Sequence, residues 1–173
     1  MSGILGGNPK DEPLHYGEIF SIFEASMAAK GMISCYRAYA YHAGDHDLKK
    51  ILGDLINQAE LEVSECDSLL AENGLATSPS LPHRPETKFE DIPVGARFTD
   101  PEIAAKIAAD TAAGLVACST VMGQAIREDV GALFGKYHAT KAALGMKILR
   151  MNKKKGWLIP PPLQIKRPEP VNA

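Results

Sequence analysis

The chain has 173 residues, 45% of them hydrophobic and 23% charged, which fits one globular domain with enough apolar material to build a core. Its net charge of −2 supplies no basic field for phosphate backbones and argues against nucleic acid as a partner.

Residues 1–13, MSGILGGNPKDEP, carry no positively charged region followed by an apolar run, and nowhere do 18 apolar residues stand in succession. The segment reads as a flexible N-terminus, and the protein as soluble, cytoplasmic and without a membrane span. A first helix is expected over 14–43. It starts after Pro13, a residue suited to a first helical turn, and stops before Gly44, which suits the left-handed position past a helix end. Its apolar stripe is Phe20, Phe23, Met27, Gly31, Ser34, Ala38 and Tyr41, in steps of three and four. Small residues in the later half of that stripe invite a close neighbouring helix.

A second helix, 46–73, follows with Asp45 or Asp47 as its N-cap and Gly74 as its stop, antiparallel to the first. Its stripe is Leu48, Leu52, Leu55, Ala59, Glu62, Cys66 and Leu69, which puts Glu62 on the core seam, Glu65 beside it and Glu60 facing away. Residues 75–99 hold Pro79, Pro82, Pro85 and Pro93 and cannot be a regular helix. So long a connection has a purpose if it runs the length of a bundle and makes the third helix parallel to the second. That is the one-long-crossover topology of ferritin-like four-helix bundles.

The third helix is expected over 101–126, with Asp100 as N-cap and Pro101 at its first position. Its candidate faces are Ile103, Ile107, Asp110, Gly114, Ala117 and Val121 or, one residue on, Ala104, Ala108, Thr111, Leu115, Cys118 and Met122. A turn at Arg127 to Asp129 precedes a fourth helix, 130–155, capped by Asp129 and ended by Gly156. Its stripe is Val130, Leu133, Tyr137, Thr140 or Lys141, Leu144, Ile148 and Met151. The last-turn cluster Lys153, Lys154 and Lys155 suits the negative end of a helix dipole. The Pro-rich tail, 158–173, is extended, with Trp157, Leu158 and Ile159 docked on the bundle. The expectation is therefore one all-α domain, 14–157, built from two antiparallel hairpins.

The segments LHYGEIFSIFEAS, DLKKILGDLINQAELE, REDVGALF and KKKGWLIPPP, in that order, resemble an uncharacterised ferritin-like family of spore-forming Gram-positive bacteria, a domain-of-unknown-function family similar to spore coat protein F. The resemblance covers about residues 14 to 165. It implies a ferritin-like fold and a link to sporulation and the developing spore, and it names no reaction. Relatives often carry the domain twice in tandem, so a single copy implies a homodimer, with other proteins as further partners.

A ferritin-like di-metal site needs a glutamate from each of two helices and a Glu-x-x-His pair from each of the others. The one Glu-x-x-His here, Glu12 to His15, straddles a helix start, and Glu62 has Ala59 and Glu65 at the flanking positions. Related sequences often place histidine near Glu62, which restores no pair either. A register count puts Glu24, Gly114 and Lys141 level with Glu62, and Asp110 and His138 within about one turn. In one reading Glu24, Glu62, Asp110 and His138 hold iron or manganese. In the other, Glu62 is a core carboxylate neutralised by Lys141 or bonded to Tyr137, because a buried charge persists only when paired. The second has the stronger physical basis, since four ligands at scattered spacing do not make a motif.

The cluster HAGDHD, with His42, Asp45, His46 and Asp47, is explained by helix capping without a metal. Cys35, Cys66 and Cys118 follow no CxxC spacing and read as small core residues of a reducing compartment. The run from Ser78 to Pro82 is ordinary loop composition, and no phosphate-binding loop follows a strand. Two functions from different classes remain. One is a non-enzymatic structural or interaction module, and the other is a carboxylate-bridged metal-binding oxidoreductase or metal-storage protein. A third possibility is a small apolar ligand held between the helices.

Overall fold

The structure is a computed structural model and describes residues 11–164. What was expected of residues 1–10 and 165–173 lies outside the described residues. These hold four long helices and no strand: α1 (Tyr16–His42), α2 (His46–Glu72), α3 (Asp100–Gln124) and α4 (Glu128–Lys155). Helices α1 and α2 form one hairpin and α3 and α4 the other, with sparser contacts between α1 and α3 and between α2 and α4. The helices thus stand in the cyclic order α1, α2, α4, α3, a four-helix bundle. The segment 73–99 returns from the end of α2 to the α1–α2 turn, so α3 runs parallel to α2.

Each hairpin turn is held by a carboxylate at the start of the other hairpin. Asp100, the first residue of α3, accepts from the backbone N–H groups of Gly44 and Asp45 at 2.8 and 3.0 Å. Glu18, in the first turn of α1, accepts from Ile126 and Arg127 of the α3–α4 turn, each at 2.8 Å. These bonds satisfy donors that helix ends otherwise leave without partners. Arg127, itself buried, reaches the Glu12 carbonyl and Asn73 Oδ1 and so ties α2 and the entry to α1 to the same end.

Helix ends differ from expectation in instructive ways. Pro13 precedes α1, and His15 is the N-cap: its Nδ1 accepts from Gly17 and Glu18, while Glu18 reaches back to the His15 N–H. Thr99 rather than Asp100 caps α3, in a capping box with Glu102, which frees Asp100 for the opposite turn. Asp45 caps α2. Helix α4 begins at Glu128, with Arg127 at the N-cap and Asp129 inside the first turn. Gly44 is not left-handed, whereas Gly74 and Gly156 are, with φ of 71° and 72°.

The largest correction concerns α1. Its buried row is Glu18, Ile22, Ala29 and Tyr36, continued by the buried Ala43 beyond its end and flanked by the part-buried Ala25, Met32 and Tyr39. Of the stripe expected on α1, Phe20 and Met27 face outward, 64% and 52% exposed, while Phe23 packs on the core and Gly31, Ser34, Ala38 and Tyr41 are part-buried. Both sides of the helix are apolar, so periodicity alone could not choose between them. In α3 the buried residues come from both candidate faces, Ile103, Ala104, Ile107, Thr111, Cys118 and Val121. The stripes of α2 and α4 lie inward, except that Leu70 and Phe134 take the fully buried places beside Leu69 and Leu133. In the tail, Trp157 packs on the core while Ile159 is exposed, so docking ends before it.

The end of α4 meets the start of α2 through Lys155, which pairs with Asp45 at 2.6 Å and Asp47 at 3.2 Å. Hydrogen bonds to Lys155 hold both carboxyls below the usual carboxylate range, and Arg127 does the same for Asp129. A depressed folded pKa means that the native state binds fewer protons than the unfolded chain. The stabilisation is present above the unfolded value of about 4 and fades as pH falls through the folded values. Urea midpoints are expected to be level between about pH 7 and 5 and to drop steadily below about pH 4. A midpoint at pH 3 equal to that at pH 7 would contradict this.

Candidate functional site

The centre of the bundle is polar at one level. Glu62 of α2 is 4% exposed and lies across from Lys141 of α4, whose Nζ donates to Glu62 Oε1 at 2.5 Å. Gln58, one turn earlier, donates to the same oxygen at 3.0 Å. Gly114 of α3 makes room for the lysine stem, because a Cβ there would stand 3.0 Å from Lys141 Cδ. The glycine of α3 and the lysine of α4 thus act together to deliver an ammonium to a buried carboxylate.

The other proposed ligands do not converge on this point. Glu24 is exposed on α1. Asp110 is engaged by Lys106 of its own helix and by the Tyr36 hydroxyl at 3.4 Å. His138 is half-buried one position past Tyr137. Among the described residues no three His, Cys, Asp or Glu side chains stand close enough to hold a metal ion. The donor chemistry does not fit a ferritin-like di-metal centre either, since a lysine ammonium beside the central carboxylate competes with a cation and cannot itself ligate while protonated. The cavity beside the pair, lined by Tyr36, Asp110, Gly114 and Lys141, has a volume of about 30 Å³. One water fits there, and a small apolar ligand does not.

Nearby groups are chemically quiet. Burial pushes the Cys66 thiol up to about 12, and burial followed by the charge of Cys66 pushes the Tyr137 phenol far above its usual value. A thiol held protonated is a poor nucleophile. Cys118 is raised by burial too. Cys35, expected in the core, is exposed. In HAGDHD, His42 Nδ1 accepts from the Phe98 N–H, and the aspartates meet α2 and Lys155. Glu60 faces away from the seam as expected, exposed and paired with Arg37, and Glu65 is paired with Lys136.

Sequence reasoning missed a second buried polar cluster. Lys30 donates to Asp67 at 2.8 Å, to the Ser78 carbonyl at 2.6 Å and to Ser78 Oγ at 3.0 Å. Ser26 donates to Asp67 at 2.5 Å. Ser78 is buried, so the run assigned to ordinary loop is the anchor that lays the crossover on α1 and α2. A lysine between Ala29 and Gly31 was the available signal, since a cation among small apolar residues needs a partner. The groove left beside this anchor is lined by Arg37, His83 and Arg84, of which Arg37 is paired with Glu60 and Arg84 is bonded to Ser34.

Comparison with known proteins adds three findings. The profile of a family described as "Protein of unknown function (DUF3231)" matches residues 2–169. The uncharacterised protein YvdQ of Bacillus subtilis (strain 168) is 50% identical over 165 residues, 95% of this chain and 97% of its own length. A crystal structure of a protein from Bacillus halodurans C-125, described as a "putative spore coat protein", is 48% identical and superposes with a TM-score of 0.90 over 92% of this chain and all of the other.

Proposed function

The chain belongs to the DUF3231 family, of unknown function, and from that premise we propose that it is a non-catalytic, ferritin-like bundle serving as a structural or protein-interaction module of the developing spore. The observation that carries this reading is the Glu62–Lys141 pair, which fills with a fixed protein cation the level where a ferritin-like enzyme would gather its metal ligands. The two hairpins joined by one long crossover support the ferritin-like assignment. The description of the Bacillus halodurans protein supports the link to the spore.

The test follows a tagged copy through sporulation in a spore-forming Bacillus host. The protein is expected in coat extracts of purified spores. Recovery only from the soluble fraction of vegetative cells would overturn the assignment to the spore. Elemental analysis of protein purified from medium supplemented with iron and manganese is expected to give substoichiometric metal, and one or more ions per chain would overturn the non-catalytic part.

A further inference from the structure

The crossover is tied back onto α1 at two places one helical turn apart, and the segment between them walls a groove on the α1–α2 hairpin. At the first tie Lys30 directs its three N–H donors to Asp67, the Ser78 carbonyl and Ser78 Oγ. At the second, Arg84 Nε donates to Ser34 Oγ at 3.3 Å. Pro79 and Pro82 restrict the backbone between the two, and His83 Nδ1 donates to the Arg84 carbonyl at 3.0 Å. The wall is thus held in place without help from a ligand, which lowers the cost of binding one.

The groove has a volume of about 190 Å³ and two kinds of lining. Its apolar part is Ile33 of α1, Val63 of α2, and Leu81 and Pro82 of the crossover, with Leu81 53% exposed. Its charges are not balanced. Lys30 is paired with Asp67, and Arg37 with Glu60 at 2.7 Å. Arg84 has no acidic group within ion-pair distance among the described residues, and its single bond, to a neutral hydroxyl, leaves both terminal nitrogens as free donors. A guanidinium fixed through Nε presents those two nitrogens side by side, the fork that matches a carboxylate. One uncompensated cation therefore stands at an apolar groove, on a protein whose net charge is −2.

We propose that this groove binds a short aliphatic monocarboxylate, its carboxylate on Arg84 and its chain along Ile33, Val63 and Leu81. Size and charge select that class. The volume amounts to about six water-sized groups at roughly 30 Å³ each, which suits an acid of about five or six carbons. A single unpaired guanidinium matches one negative charge, and a second carboxylate on the ligand would meet Glu60. Inorganic phosphate has no chain to lay on the apolar lining, and an alcohol of the same length leaves Arg84 without a counter-charge. Ser34 acts as a positioning residue, since its hydroxyl turns the Arg84 fork towards the groove. The ligand goes beyond the function proposed above and stands independently of the assignment to the spore.

The test is a titration of the full chain with hexanoate, followed by the methyl resonances of Ile33, Val63 and Leu81. These are expected to shift together with a dissociation constant on the order of 1 mM or tighter, a modest efficiency for so small a ligand. Arg84→Gln, in the exposed crossover, is expected to weaken binding at least about tenfold with circular dichroism unchanged. Arg84→Lys is expected to weaken it about fivefold, because an ammonium keeps the charge and loses the fork. Hexanol and inorganic phosphate, at the same concentrations, are expected to leave the three methyl groups unmoved. No shift at about 20 mM hexanoate, equal affinity in Arg84→Gln, or equal binding of hexanol would each overturn the proposal. So would displacement of hexanoate by lower concentrations of phosphate or of a tetraglutamate peptide, the first indicating a general anion site and the second an acidic protein segment. If Arg84→Gln unseats the crossover, Leu81→Ser decides: it leaves the guanidinium in place and is expected to weaken hexanoate about threefold, and an unchanged affinity would overturn the proposal.

Discussion

Glu18→Ala is expected to destabilise the fold by about 3 to 5 kcal/mol, because it leaves one buried and one part-buried backbone donor of the α3–α4 turn without an acceptor, each costing about 1 to 3 kcal/mol, and removes a charge-assisted cap as well. Glu18 is 1% exposed, so water cannot replace the carboxylate. Its Oε1 receives both Ile126 and Arg127, and its Oε2 receives His15. Glu18→Gln keeps one carbonyl oxygen for the turn but turns an amide donor towards the His15 N–H, and is expected to cost about half as much. Urea unfolding followed by circular dichroism measures both. A loss below 1 kcal/mol for Glu18→Ala would show that the turn does not depend on this carboxylate.

Lys141→Met is expected to cost about 3 to 5 kcal/mol, since it strands the Glu62 carboxylate in the core with Gln58 as its one remaining partner. The thioether side chain nearly matches the lysine stem in volume, so packing against Gly114 is kept and the loss reports the missing charge. The double variant Glu62→Leu with Lys141→Met removes both charges. It is expected to recover most of that loss, because a buried ion pair is worth little net against apolar residues of similar size. A double variant no more stable than Lys141→Met alone would mean that the pair is needed for more than mutual neutralisation.

The helices were legible because their signals are local. Gly74 and Gly156 stop helices through their own backbone freedom, and the prolines between 79 and 93 exclude a helix wherever they stand. The stripes of α2 and α4 were legible because polar residues occupy their other faces. The Glu62–Lys141 contact lay within reach of a register count along straight helices, as Gly114 did. Metal ligation was an open reading for the same reason: a level can be counted, but which side chain turns inward cannot.

The inward face of α1 was not legible. With Ile22 and Tyr36 on one side and Phe20 and Met27 on the other, both sides satisfy a helical period, and only packing against α2 and α3 selects the first. The cap of α3 went astray because Asp100, next to the true cap Thr99, had equal local claim, and the opposite hairpin decided it by engaging Asp100. Asp100 and Glu18 serve turns 55 and 108 residues away in sequence. Ser78 read as loop because its partners, Lys30 and Asp67, lie on two other elements.

The sequence by itself thus determined four helices, their approximate limits, the long crossover and a carboxylate on the seam of α2, all of which follow from backbone restrictions and periodicity within a few turns. The tertiary structure decided which side of α1 is buried, which carboxylates clamp the two turns, and that the partner of Glu62 is Lys141. These depend on desolvation. A charge or an aromatic ring finds its place only when the whole bundle has closed around it, and no single stretch of chain carries that information.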